Sequence, residues 1–282
     1  MPLSVDDISY SYNKGLPTER EALRGVSFRA ESGILSVIGH TGSGKSTLAQ
    51  HLNALIIPQS GSVTVDGSNT SGSPAEVRSV RKKVGLVFQY PEQQIFAESV
   101  EEEISFAPKN WGFDEEGVKK SVAEALAAVS LSAEFLPLQP YNLSGGQKRK
   151  IAIASVIAAK PSYLVLDEPT AGLDCVSARE LEALLAKFAA EGMGIIHITH
   201  DVELALRISS EILILEEGRV VFCGAPEECA EYLCSAPVKG LVLPDVLELS
   251  KRLASSGVVD KLEWNAEALL ERLKEKWRAR AK

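Results

Sequence analysis

The stretch Gly39-His40-Thr41-Gly42-Ser43-Gly44-Lys45-Ser46-Thr47 fits the spacing G-x-x-x-x-G-K-[ST], with Gly39, Gly44, Lys45 and Ser46 at the fixed positions. Glycines let such a loop fold tightly, so that successive backbone N–H groups converge on an anion. A helix starting behind the loop adds free N–H groups and the positive end of its dipole. Lys45 is placed to reach the β- and γ-phosphates of a nucleoside triphosphate, and Ser46 to ligate Mg²⁺. Far along the chain, Tyr163-Leu164-Val165-Leu166-Asp167-Glu168 reads as a buried strand ending in two carboxylates. Beside a phosphate loop, Asp167 is expected to hold Mg²⁺, directly or through water. Glu168 is then placed as general base for an attacking water. Successive strand side chains point opposite ways, but at a frayed strand end both can reach one site.

A second glycine-rich stretch, Leu143-Ser144-Gly145-Gly146-Gln147, opens a helical pattern that begins near Lys148. Glycines and a hydroxyl at a helix start make a second anion site. Ser144 followed by Gln147 also fits a capping box, and both readings can hold at once. If the two phosphate-facing helix starts cannot reach one nucleotide in the same subunit, the second must serve a neighbour's.

These residues need elements to position them. Ile34 to Ile38 reads as the buried strand feeding the phosphate loop, and Leu48 to Leu55 as the helix leaving it. Before them, residues 3–12 alternate as an antiparallel or edge strand would, and Ala22 to Ala30 resumes that pattern. Ser62 to Gly67 is a strand ending in an Asp-Gly turn, Ser68 to Pro74 a polar loop, and Ala75 to Lys82 a short helix. Val84 to Phe88 is a further strand that ends at Gln89. From Tyr90 to about Lys160 the pattern turns helical, notably over Val118–Val129 and Lys148–Ala159, so this segment reads as a helical insertion. Strands then return at 163–168, 194–199, 211–215 and 219–223, with helices expected over 176–191 and 202–208. The alternation implies a mostly parallel, three-layer α/β sheet. Pro226 opens a helix to Cys234. Beyond Pro237, Val246–Leu253 and Ala266–Ala281 are amphipathic, with Leu269, Leu270, Leu273 and Trp277 on one stripe. That stripe fits packing against its own domain and fits a subunit contact equally.

The chain of 282 residues is 45% hydrophobic, which supports a substantial core. Its net charge is −8, from 30 basic and 38 acidic residues, which argues against nucleic acid as a partner. The four cysteines, Cys175, Cys223, Cys229 and Cys234, form no C-x-x-C pair, so reduced thiols are a simpler account than a zinc site. No signal peptide is expected, and no apolar run is long enough to span a bilayer, so a membrane role must pass through a partner.

Taken together, residues 3 to about 225 resemble an ATP-binding-cassette (ABC) ATPase. The resemblance rests on motifs in the family's order: the phosphate loop Gly39–Thr47, the glutamine loop at Gln89, the signature Leu143–Gln147, Asp167-Glu168, the D-loop Ala171-Gly172-Leu173-Asp174, and the switch histidine His200. Phe88-Gln89-Tyr90-Pro91-Glu92-Gln93-Gln94-Ile95-Phe96 and the run from Leu143 through Lys148-Arg149-Lys150 further resemble the ATPases of energy-coupling-factor (ECF) transporters, importers of vitamins and of nickel or cobalt ions. The resemblance implies a phosphate-loop NTPase core with an N-terminal antiparallel β subdomain. Residues 1–235 would form the ATPase domain, with the helical subdomain inserted at about 90–160. Residues 236–282 would be a C-terminal helical extension and a possible dimer contact.

It implies ATP and Mg²⁺ as cofactors and two subunits that sandwich two ATP molecules head to tail. Lys45 of one chain and Ser144 and Gly146 of the other would touch each nucleotide. Tyr12 would stack on adenine, Gln89 would sense Mg²⁺ and water, and His200 would bond the γ-phosphate and hold the attacking water. Asp174 would serve the dimer. Cys175 stands where proline is common in the family, and it leaves Asp174 in place. The implied partners are a second ABC ATPase, the same or a related chain, and integral membrane subunits: a transmembrane coupling protein and a substrate-binding protein. The implied place is peripheral, on the cytoplasmic face of the membrane. The rival reading is the ATPase of another ABC importer or a soluble non-transport ABC protein. The transported substrate is not written in this chain.

Overall fold

A computed structural model describes residues 2–280. The chain opens with β1 (Leu3–Tyr12) and β2 (Arg20–Ala30), an antiparallel pair, and continues into β3 (Gly33–Ile38) and α1 (Lys45–Leu52). Then come β4 (Ser60–Val65), the two-residue β5 (Ser68–Asn69), α2 (Pro74–Lys83) and β6 (Val84–Val87). The helical stretch holds α3 (Val100–Asn110), α4 (Glu115–Ala128) and α5 (Gly145–Ile157). After it run β7 (Tyr163–Asp167), α6 (Cys175–Ala190), β8 (Gly194–Thr199), α7 (Val202–Ile208), β9 (Glu211–Glu216) and β10 (Arg219–Gly224). Last come α8 (Pro226–Ser235), α9 (Asp245–Ser255) and α10 (Ala266–Arg280); Ala281, expected in that last helix, lies outside the described residues.

Two sheets form. The first is antiparallel in the order β2-β1-β4-β5. The second runs β10-β9-β3-β8-β7-β6 and is parallel except for the β9–β10 hairpin. Its register decides where the site lies. Val37 and Asp167 both pair with Ile198, and Ile38 pairs with Thr199. The phosphate loop, Glu168 and His200 therefore leave the sheet together at its carboxyl edge, where open parallel sheets bind ligands.

Strand side chains alternate between two cores. Val165, Ile196 and Ile198 face one apolar cluster with Leu48 and Leu52 of α1 and Leu3, Val5 and Val63 of the first sheet. Helix α1 thus lies between the two sheets. Leu164, Leu166 and Ile195 face the other way, onto Ile104, Val122, Ile151 and Leu185 of α3, α4, α5 and α6. A third cluster joins Ile38, Ile212 and Ile214 to α7, α8, Val238 and Leu247.

Several expectations move at their edges. The helix after the loop stops at Leu52, because Asn53 caps it, Ala54 turns with φ 56°, and the Asn53 amide donates to the Val84 carbonyl. The expected loop at Ser68–Pro74 begins with β5, since the Asp66-Gly67 turn (φ 46° and 78°) folds it back on β4. Ser73 then starts α2 with a capping box to Glu76. Along the last helix the expected apolar stripe divides. Leu269 is buried and Leu273 half-buried, while Leu270 and Trp277 stay exposed at 52% and 76%.

Candidate active site

Gly44 carries the loop into α1 with φ 109°, and a Cβ there would lie 2.5 Å from the Ala22 carbonyl. Only glycine fits such a backbone. It leaves α1 with no side-chain cap, so its first N–H groups stay open for an anion. Lys45 donates to the carbonyls of Gly39 at 2.7 Å and His40 at 3.0 Å. An ammonium has three donors, so one remains for a ligand. Burial lowers its pKa, and Glu168 and Asp167 oppose that shift.

Asp167 is 6% exposed, and burial pushes its carboxyl pKa up against a hydrogen bond from Ser46. Glu168 takes a left-handed backbone, φ 49°, with its N–H on the Ile198 carbonyl at 2.9 Å. That bend lets two consecutive carboxylates enter one cleft. His200 Nδ1 donates to Glu168 Oε1 at 2.8 Å. The Tyr12 hydroxyl lies 3.2 Å from Thr47 Oγ1, and its ring meets Tyr10 edge-on at 5.0 Å.

One cleft of about 300 Å³ collects these groups. Tyr12, Thr41, Gly42, Gly44, Lys45, Ser46, Thr47, Gln89, Asp167, Glu168 and His200 line it. Gly39, His40 and Ser43 form the outer wall of the loop instead. A Cβ on Gly39 would strike the Leu215 carbonyl, and Ser43 is buried with its carbonyl bonded to the Gly218 N–H at 2.9 Å. Ser46, Asp167 and Gln89 offer a hard-oxygen donor set, which suits Mg²⁺.

The signature residues lie elsewhere. Ser144 closes the expected capping box: Gln147 N–H donates to Ser144 Oγ at 3.3 Å, and Ser144 N–H to Gln147 Oε1 at 3.0 Å. Ser144, Gly146 and Gln147 line a separate cavity between α5 and α6 with Leu173 and Ser177, and Gly145 is exposed, with open space where a Cβ would stand. Asp174 caps α6 through the N–H groups of Val176 and Ser177. Cys175 follows it at the first turn of that helix, exposed; Cys223 is exposed, Cys229 buried and Cys234 half-buried.

Two arginines, to which the sequence alone assigns no role, sit beside these residues. Arg20 lines the cleft, with Nη2 3.5 Å from the Gly42 carbonyl. Only its place on the strand beside the loop reveals it. Arg149, only 4% exposed, donates to the carbonyls of Pro169 at 2.7 Å and Ala171 at 3.0 Å and pairs with Glu92 at 3.2 Å. It ties the signature helix to the segment after Glu168. Within Lys148-Arg149-Lys150 nothing in the local pattern sets it apart from the lysines on either side.

The sequence profile of the ABC transporter family matches residues 23–171. The chain belongs to the ABC transporter family. Within that family it is similar to the energy-coupling factor transporter ATP-binding protein EcfA2 of Streptococcus thermophilus, with 40% identity over 91% of this chain and 93% of that protein. The protein of the same name from Clostridium perfringens is 39% identical over 91% of each. Among solved structures, CbiO1 of Clostridium perfringens, part of the ABC transporter complex CbiONQ, superposes with a TM-score of 0.73 at 32% identity, covering 83% of this chain and 95% of that one. An ATP-binding cassette solved as a dimer in a post-hydrolysis state, with ADP and inorganic phosphate, gives 0.70 at 27% identity over 80% of this chain and 99% of its own. This ABC protein is an ATP hydrolase of the energy-coupling-factor type.

Proposed function

We propose that this ABC ATPase is the motor of a membrane importer, and that it closes on ATP as a head-to-tail dimer with a second ATPase subunit. The observation that carries this is the split between two places in one chain. Lys45, Ser46, Asp167, Glu168 and His200 share one cleft, while Ser144 and Gly146 line another. A site divided in this way is completed by a neighbour.

In this reading the open N–H groups of Gly44 to Thr47 and the free donor of Lys45 hold the triphosphate, and Tyr12 stacks on the adenine. Ser46, Asp167 and Gln89 would hold Mg²⁺, which when bound would supply positive charge beside the phosphates. Glu168 takes the proton of the attacking water, and His200 fixes that carboxylate through Nδ1 and faces the γ-phosphate. The partner's signature residues bind the same nucleotide, so ATP favours the closed pair and hydrolysis releases it. Residues 1–235 act as the ATPase domain, with the insertion at about 90–160, and residues 236–282 as an extension that contacts a second subunit.

Among the described residues no helix is long and apolar enough to cross a membrane. In this reading the chain works at the cytoplasmic membrane face, peripherally, through integral membrane subunits: a transmembrane coupling protein and a substrate-binding protein that selects a vitamin or metal ion. The test is purification of the tagged chain from detergent-solubilised membranes of its own cells. Integral membrane subunits should travel with it and stimulate its ATPase. A chain that hydrolyses ATP but never retains a membrane protein would be a soluble ABC protein instead.

A further inference from the structure

The outer wall of the phosphate loop rests on the first residues of the C-terminal extension. Val238 lies in the same apolar cluster as Ile38, the last strand residue before the loop. Val238 to Leu241 then forms a turn closed by the Leu241 N–H on the Val238 carbonyl at 3.2 Å. Two bonds pin the turn to the β9–β10 connection. Lys239 N–H donates to Glu216 Oε1 at 2.9 Å, and Lys239 Nζ to Glu217 Oε1 at 3.1 Å. That connection itself holds the loop, through Gly218 N–H on the Ser43 carbonyl at 2.9 Å.

The turn also touches the loop directly. Gly240 adopts φ +70°, and a Cβ on it would lie 2.6 Å from Cβ of His40. Real Cβ atoms do not approach so closely, so glycine is what lets the turn sit against the His40 side chain. His40 has little freedom to retreat. Its Nδ1 lies 2.7 Å from the Thr41 carbonyl, and its Nε2 is a buried atom with no hydrogen-bond partner among the described residues. The side chain is held by packing against this turn and by its bond within the loop. The His40 carbonyl in turn accepts from Lys45. A push at Gly240 is therefore passed through His40 to the lysine that meets the phosphates.

We infer that the turn Val238–Leu241 is a strut that sets the shape of the phosphate loop, with Gly240 a positioning residue for ATP acting through His40. This rests on reading Gly39–Thr47 as the ATP loop. The turn joins α8 to α9, so a load on the C-terminal helices reaches the nucleotide site by this route.

The test is calorimetric titration of the full chain with the non-hydrolysable analogue AMP-PNP and Mg²⁺, beside thermal unfolding without nucleotide. Gly240→Ala is expected to weaken binding about tenfold, since displacements on the order of 1 Å misalign such groups. In Gly240→Ala/His40→Gly the struck Cβ is gone, and affinity should return to that of His40→Gly alone, while the unfolding temperature stays lowered. Affinity of Gly240→Ala within about twofold of the parent, or losses that simply add in the double variant, would overturn the inference. If Gly240→Ala does not fold, Glu216→Ala frees the Lys239 N–H without adding volume. It should weaken binding about threefold, and unchanged affinity there is equally fatal. A parent chain that fails to bind AMP-PNP would sink the reading of the loop itself.

Discussion

Glu168 is held as a solvated glutamate is not, at the place where the proposed reading needs a general base. Its backbone is left-handed, its side chain is 13% exposed, and its Oε1 accepts from His200. A non-glycine residue in that region carries about 1–3 kcal/mol of strain and persists only where its surroundings impose it. Here the imposing contacts are the Glu168 N–H on β8 and the histidine on its carboxylate. Glutamine keeps the size and one acceptor but cannot take a proton. Glu168→Gln should therefore bind ATP with affinity within about threefold of the parent and lose hydrolysis by about 10²–10⁴-fold. Steady-state turnover close to the parent's, measured by phosphate release, would remove Glu168 from the role of base.

At the scale of elements, most of the sheet was legible because its strands are short apolar runs with clear punctuation, and β3, β7 and β8 carry the site at their ends. Helix α3 was not. Its buried face includes Glu103, Ser105 and Pro108 among Val100 and Ile104, so no apolar period shows. Glu103 can be buried there because it accepts the N–H groups of Phe96 at 3.1 Å and Ala97 at 3.0 Å. Those bonds reach back seven and six residues to the segment before the helix, so no helical period shows them. The role of Arg149 is not legible locally either, because its partners lie 20 to 57 residues away. Its planar fork bonds two carbonyls beyond β7 and a carboxylate of the glutamine loop, joining α5 to two other segments. Removing it strands those acceptors. Arg149→Ala should cost about 3 kcal/mol of stability. Arg149→Lys should recover part of that, since an ammonium supplies the charge but not the fork. Urea unfolding reads both as shifts in midpoint at constant slope. An alanine variant as stable as the parent would mean that water satisfies these carbonyls.

For the whole molecule, the decisive fact is that the two glycine-rich helix starts line different cavities. An anion site is expected from sequence at each, but the distance between them is not, because the intervening insertion is positioned by packing and not by local pattern. The Leu270 and Trp277 side of α10 likewise lies exposed on one chain, where a second subunit can cover it. Taking that subunit as another copy of this chain, a sandwich gives each nucleotide Lys45 from one copy and Ser144 from the other. Lys45→Ala should abolish binding in its own copy. Ser144→Arg should spare initial binding yet block ATP-driven closure, since a bulky cation replaces a helix cap that must meet the partner's phosphate. Each variant alone makes two defective sites. A mixed pair concentrates both defects in one site and leaves the other intact. With random pairing half of the dimers are mixed, so an equal mixture should recover about a quarter of parental ATPase activity. If equal mixing recovers nothing while size-exclusion shows mixed pairs forming, the two halves of the site do not meet head to tail.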